Sequence, residues 1–454
     1  MITDPSTDAG KAVLLHDRCP TLTELASTAA ELAARSPELC RVRTLGTSRA
    51  GRPLTLLSIG RAERDVLVVA GAHADEFAGR ASTVELAHRV LARPALRTAA
   101  TWHFLLCLDP DGAHLARGAL TARTLPEYFA GYFRPAAEEQ PEWAPAVGAR
   151  LPESRILLDL IDELRPALQF TLHSMDVGGT FLQATCDPAA LAAPFASSAA
   201  ALGIPVETGT YDTFWLRESG PGVFLMEPHH IDRQETSTGM LTPRRTGRPA
   251  GTGVPDGPDG TARVRASTWF APQRHGGETV IVEVPAWTSD RLGDTRPVDD
   301  AAACLSAGAD RLRTRTALLA ELLDAALPHL PADDTALLRA ARSPLTAARQ
   351  LADEWDPAAL GRRLLRPGLM TRSKLAGIDL WAHRIPVRTA ALLRRAVEPA
   401  GARAAGQAAR LDALLQDWCA RYQRRFRPAW LPVTRQAEHQ ANIVQAAVEL
   451  RLTA

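Results

Sequence analysis

Three side chains have types and spacing suited to holding a divalent metal, and a fourth has a type suited to working beside it. In Val66-Leu-Val-Val-Ala-Gly-Ala-His73-Ala-Asp-Glu76 an apolar run ends in small residues and then presents His-x-x-Glu. An imidazole and a carboxylate three residues apart converge on one point if the turn is helical, and both are zinc donors. Alone, the pattern is common and reads as a surface pair. A second apolar run, Leu168-Gln-Phe-Thr-Leu-His173-Ser174, also ends in a histidine. By itself that histidine reads as structural. Together the residues make a His₂Glu set, which leaves one zinc coordination position open, as catalytic sites require. Glu283 lies in Glu278-Thr-Val-Ile-Val-Glu283-Val-Pro-Ala-Trp287, an otherwise apolar strand. A carboxylate there is costly without a partner or a task. Its task beside a metal is to take a proton from an attacking water and pass it to a leaving amine. Without a metal it reads as an edge-strand glutamate facing solvent.

Rigid elements must deliver these groups to one place. Runs at 54–59, 66–70, 102–108, 167–172 and 279–284 read as buried strands, and 79–92 and 153–164 carry helical periodicity. Strands alternating with helices predict an α/β layered domain, with chemistry where strands end. From about residue 300 strand signals vanish. Segments 301–327, 335–354, 386–395, 411–424 and 435–452 repeat apolar residues every three or four positions. We therefore divide the chain into a catalytic domain, 1–295, and an all-helical region, 296–454. Residues 231–265 are rich in Pro, Gly, Thr and Arg and read as a long loop insertion. Arg421-Tyr-Gln-Arg-Arg-Phe-Arg reads as a solvated helix face.

Composition removes several alternatives. The 454 residues hold 52 basic and 51 acidic side chains, so charge gives no reason to expect nucleic acid or an anionic membrane. Lys11 and Lys374 are the only lysines; arginine carries the rest. The six cysteines are scattered without a Cys-x-x-Cys pair, which argues against a disulfide framework or a cysteine zinc site. No secretory leader or membrane-length apolar run is visible, so the expected location is the cytoplasm. No Gly-x-Ser-x-Gly or phosphate loop stands in a suitable context. His229-His230 and His275 read as loop histidines, and His103 and His114 flank the turn at Asp109.

The ordered motifs resemble the carboxypeptidase A-like zinc metallocarboxypeptidases. Leu45-Gly-Thr-Ser-Arg-Ala-Gly-Arg-Pro-Leu…Gly60, after Ser36-Pro-Glu-Leu, is similar to that family's N-terminal segment. His73-Ala-Asp-Glu76 resembles its H-x-x-E motif, and Asp109-Pro-Asp-Gly112 its N-P-D-G turn with Asp for Asn. Leu172-His173-Ser174 resembles its third-ligand segment, and Val282-Glu283-Val284 its catalytic-glutamate strand. The likeness spans about residues 20–290. It implies a three-layer α/β/α sandwich with a mixed sheet and one Zn²⁺ per chain on His73, Glu76 and His173. It also implies Glu283 as general base and an arginine on the oxyanion. Arg134, in Tyr132-Phe-Arg134-Pro, is the candidate, with Arg117 and Arg123 as competitors. Two features depart from the family. The Asn-Arg pair that grips a terminal carboxylate is absent, and the stretch reads Glu138-Glu-Gln-Pro-Glu142-Trp143. No tyrosine lies between Tyr211 and Glu283. The expected substrate is a peptide. N-acyl amino acids, as for aspartoacylase and succinylglutamate desuccinylase, are the alternative. A second alternative is an inactive scaffold whose helical region binds a protein partner.

Overall fold

The computed structural model describes residues 17–232, 260–298, 300–330, 334–359, 361–366 and 368–452. Helix α1 (Leu22–Arg35) opens on a capping box: the Thr21 hydroxyl accepts from the Glu24 amide, and the Glu24 carboxylate accepts from the Thr21 amide. Then come β1 (Cys40–Thr47), β2 (Pro53–Ile59), β3 (Asp65–Ala70), α2 (Ala78–Ala92), β4 (Thr101–Leu105), α3 (Pro110–Leu115) and α4 (Leu125–Ala130). After α5 (Pro152–Leu164) come β5 (Leu168–Gly178), β6 (Phe181–Ala184), α6 (Ala192–Ala201), β7 (Arg217–Gly220), β8 (Val223–Leu225) and β9 (Glu278–Thr288). The sheet order is β1-β2-β4-β3-β5-β9-β6-β8-β7. Strands β4, β3, β5 and β9 are mutually parallel, and antiparallel pairs flank them, so the sheet is mixed.

The continuous apolar runs are explained by burial on both faces. Along β3, Val66 and Val68 enter a core with Leu25, Leu32, Val84 and Val90 of α1 and α2. Leu67 and Val69 enter another with Leu157, Leu160 and Ile161 of α5. Each such side chain contributes about 1.5–3 kcal/mol of apolar burial. The outcome is an α/β layered domain, as the alternation predicts, and the α/β/α sandwich with a mixed sheet that the resemblance implies. Gly79 seats α2 directly on β5, because a Cβ there would lie 2.5 Å from the Leu172 carbonyl oxygen. That approach brings the turn before α2 close to the end of β5.

Helices α7 (Ala302–Ala326), α8 (Ala336–Trp355), α9 (Arg372–Val397) and α10 (Ala405–Phe426) follow. Their core contains Leu305, Leu319, Trp355 and Ile378, and it continues into Tyr128, Phe133 and Trp287 of the α/β part. After β10 (Ala429–Trp430), which pairs with β9, helix α11 (Val433–Leu452) returns to the sheet. Its Ile443, Val444 and Val448 lie in the same core as Val66 and Val68. The reading of a helix beginning at Pro386 is corrected. Helix α9 starts at Arg372 and runs through Pro386. An interior proline costs about 3 kcal/mol, which burial of Trp381, Ile385 and Leu392 around it offsets. The run 102–108 is a strand only to Leu105. Of the long loop, 233–259 lie outside the described residues, and Gly260–Arg265 is a short helix. On α10, Arg421, Arg424 and Arg425 are exposed while Tyr422 and Phe426 are buried, as expected for a solvated face.

The turn after β4 has a titration consequence. Asp109 is fully buried, and its Oδ1 accepts from the Gly112 amide at 2.8 Å. Its Oδ2 has no hydrogen-bond partner among the described residues, and a Cβ on Gly112 would lie 2.0 Å from it. Burial pushes this carboxyl from 3.8 up to about 7. The folded value exceeds the unfolded one, so the unfolded chain loses the proton first. Stability is therefore fullest below 3.8 and drains away as pH rises toward 7. At about 1.4 kcal/mol per unit, the total is on the order of a few kcal/mol. Asp109→Asn keeps the cap and removes the ionisation. Urea unfolding across that pH window should show a flatter stability profile for the variant; parallel profiles would refute this account of Asp109.

Candidate metal centre

His73 leaves β3 through Gly71 and Ala72, and a turn closed by the Glu76 amide on the His73 carbonyl brings Glu76 round beside it. His73 Nδ1 lies 2.8 Å from Glu76 Oε1. His173 comes from β5, and its Nδ1 lies 3.0 Å from Glu76 Oε2. The two imidazoles meet edge to face, with ring centroids 4.6 Å apart. One donor atom from each of His73, Glu76 and His173 falls within 4.8 Å of the others, and all three residues are buried. Glu283 comes from β9. The parallel register sets it opposite His173, and its Oε1 is 3.7 Å from His173 Nδ1. Four side chains separated by up to 210 residues thus share one centre.

Electrostatics distinguish the four. Burial, and then Arg134, lowers His73, which favours the neutral imidazole that can donate a lone pair. Burial opposes the charge on Glu76, yet His73, His173 and Arg134 hold its carboxyl well below its ordinary value. Burial alone would depress His173, but Glu142 and Glu76 raise it well above its ordinary value. Burial, and then Glu76, raises Glu283 well above the usual carboxylate range. Its Oε2 has no hydrogen-bond partner among the described residues.

Arg134 reaches the cluster. Its Nη1 donates to Glu76 Oε1 at 2.8 Å and Asp75 Oδ1 at 3.2 Å, and its Nη2 lies 2.8 Å from His73 Nδ1. The competing arginines are elsewhere. Arg117 pairs with exposed His114, and Arg123 lies over the Trp430 ring. His103 bonds Ser58 and Asp65, and His275 bonds Asp162, so neither belongs to this centre. Glu227, His229 and His230 form a separate, more exposed group.

Several residues were not singled out from the sequence. Glu142, fully buried, takes His173 Nε2 at 2.9 Å while accepting from Thr171 Oγ1 at 2.5 Å and Trp269 Nε1 at 2.9 Å. It lies in the stretch from Glu138 to Trp143, and no spacing rule ties it to His173. Asp75 and Asp176 bind arginines from α9. Those arginines, Arg384 and Arg388, lie one helical turn apart among apolar neighbours, and that spacing was a readable signal. With Tyr132, Trp269, Ile385 and Leu392 they line a cavity of about 240 Å³ that also exposes His73, Glu76, His173 and Glu283.

Residues 25–126 match the family model described as zinc carboxypeptidase. No curated protein matches the chain. Among solved structures, carboxypeptidase A from Helicoverpa armigera is similar at 16% identity, covering 60% of this chain and 65% of that one, with a TM-score of 0.38. A metallo-carboxypeptidase from Burkholderia cenocepacia is similar at 14% identity, covering 59% and 60%, with a TM-score of 0.37. The chain therefore spans under two thirds of these two relatives' length. The segment that matches the family model carries His73, Glu76 and the Asp109 turn.

Proposed function

We propose that this chain is a metallopeptidase that hydrolyses an amide bond at one zinc ion held by His73, Glu76 and His173, with Glu283 as general base. One observation carries the reading: His73 Nδ1 and His173 Nδ1 both lie against the Glu76 carboxylate, with Glu283 beside them. Two imidazole nitrogens and a carboxylate suit zinc and form an open rather than closed donor set. When bound, zinc polarises the scissile carbonyl and acidifies water.

The chain's own groups do the remaining work. Glu142 accepts at His173 Nε2, which fixes the ring and leaves Nδ1 as the nitrogen that faces Glu76 and would hold the metal. Glu283 lines the cavity, where its carboxylate takes a proton from water and returns it to the leaving amine. The Arg134 guanidinium offers the positive charge that steadies the oxyanion. Function follows the chain division at about 295 only in part. Residues 1–295 supply the donors and the base, while the helical region supplies a wall of the cavity.

Cavity size favours a second reading. About 240 Å³ lies below the roughly 300–1,000 Å³ of drug-sized ligand sites. That suits a small substrate such as an N-acyl amino acid, the deacylase alternative. Assays of short peptides with free and amidated C-termini against N-acyl amino acids separate the two.

Metal analysis of protein purified without chelators should give about one zinc per chain, and markedly less favours an inert scaffold. His173→Ala should lose both zinc and turnover. Glu283→Gln should keep zinc and lose about 10²–10⁴-fold in kcat; normal turnover would remove Glu283 from the mechanism. Glu142→Gln should weaken zinc affinity by about 10–100-fold in a competitive chelator titration. Unchanged affinity would show that Glu142 does not orient His173.

A further inference from the structure

Helix α9 places two arginines, Arg384 buried and Arg388 partly so, in the wall of the cavity that exposes the His and Glu cluster. Arg384 Nε lies 2.8 Å from Asp176 Oδ1, and its Nη2 donates to the Val177 carbonyl at 2.6 Å. Arg388 lies 3.2 Å from Asp176 Oδ2 and 3.5 Å from Asp75 Oδ2. Its guanidinium sits over the Tyr132 ring, 5.1 Å from the centroid. Asp75 is also the partner of Arg134. The ion pairs therefore form a chain, Glu76–Arg134–Asp75–Arg388–Asp176–Arg384, whose far end from the His and Glu cluster is a cation. Each guanidinium is held in place by its neighbours before any ligand arrives, which lowers the ordering cost of binding an anion. Asp212 also lines the cavity, and burial raises its carboxyl, which weakens it as a competitor for these cations.

Resting on the hydrolase reading above, we propose that Arg384 and Arg388 form an anion subsite that receives a free carboxylate of the substrate. The helical region then sets specificity for a small amide that ends in an acid. The apolar part of the ligand meets Leu351, Ile385, Leu392 and Trp269, which line the same cavity. Guanidinium suits this role because its planar fork matches a carboxylate with two parallel hydrogen bonds.

The test uses the zinc-loaded full chain carrying Glu283→Gln to block turnover. Calorimetric titration compares N-acetyl-L-phenylalanine with N-acetyl-L-phenylalaninamide, which differ only in the carboxylate. The acid should bind at least about tenfold more tightly. Adding Arg388→Gln should bring the two affinities to within about threefold by weakening the acid alone, and Arg388→Lys should keep part of the preference. Equal affinities for acid and amide before the arginine change overturn the proposal, as does failure of the acid to bind. A loss shared equally by acid and amide in Arg388→Gln overturns it too, because the arginine would then only hold the wall. If Arg388→Gln does not fold by thermal unfolding and zinc content, Arg384→Gln is read in its place with the same outcomes. Hydrolysis by the unmodified chain is read separately. Selective acid binding without cleavage of any amide sinks the hydrolase reading and leaves the subsite. Cleavage without acid preference does the reverse.

Discussion

Parallel pairing of β5 with β9 sets His173 level with Glu283, and the centre depends on that register. Side chains on a strand alternate faces, so a slip of one residue would send one of these groups to the opposite side of the sheet. The register is fastened from α11. Gln440 Nε2 donates to the His173 carbonyl at 2.6 Å and to the Val282 carbonyl at 2.8 Å, and Gln440 Oε1 accepts from Ser82 Oγ on α2 at 2.5 Å. One buried amide thus ties together β5, β9 and the helix that follows Glu76. Such an amide is costly unless every group is satisfied, and here its hydrogen bonds fall on the backbone that carries the site.

Charge density sets the second constraint. Glu76, Glu142 and Glu283 approach two imidazoles in a region almost without solvent. Uncompensated carboxylates in such surroundings are destabilising by several kcal/mol each. Compensation comes from His173, raised well above its ordinary value, and from Arg134. The carboxylates are not equivalent. Glu142 lies behind His173, bonded by a hydroxyl and an indole, and is pulled below its usual range against the opposition of burial. Glu283 lies on the cavity side and is pushed above it. Environments that separate two acids in this way allow one to stay a fixed anion while the other carries a proton.

The sequence made legible what rigid elements deliver. His73 follows the end of β3, as a strand-end reading expects, whereas His173 and Glu283 lie inside β5 and β9, which run on to Gly178 and Thr288. Runs 66–70 and 279–284 fall inside β3 and β9, and 79–92 and 153–164 coincide with α2 and α5 to within a residue. Strand β1 was not seen because its side chains are largely exposed and carry no apolar alternation. Strands β7 and β8 are four and three residues long, too short for any period to register. Glu142 was legible only as a residue out of place, because its role depends on a through-space partner 31 positions away. Asp111 shows how two motifs can be recognised separately while their relation stays hidden. Its carboxylate accepts from Ser48 Oγ, the Ala50 amide and Arg52, joining the N-terminal motif to the Asp109 turn.

The helical region reads in the sequence as an appendage, since its periodicity is self-sufficient and no zinc donor lies in it. Its packing argues otherwise. Arg388 and Arg134 share Asp75, and Asp75 directly precedes Glu76. A shift of α9 would therefore move an ion pair one residue from the Glu76 carboxylate and change which guanidinium balances it. Helix α11 acts through the carbonyls of β5 and β9, and α9 acts through the charges around the turn after β3. Folding of the helices and alignment of the donors are thus coupled through buried polar contacts, which tolerate misplacement less than apolar ones do. A single α/β domain closed by its own loops would need neither contact, so the C-terminal helices are part of the site's construction.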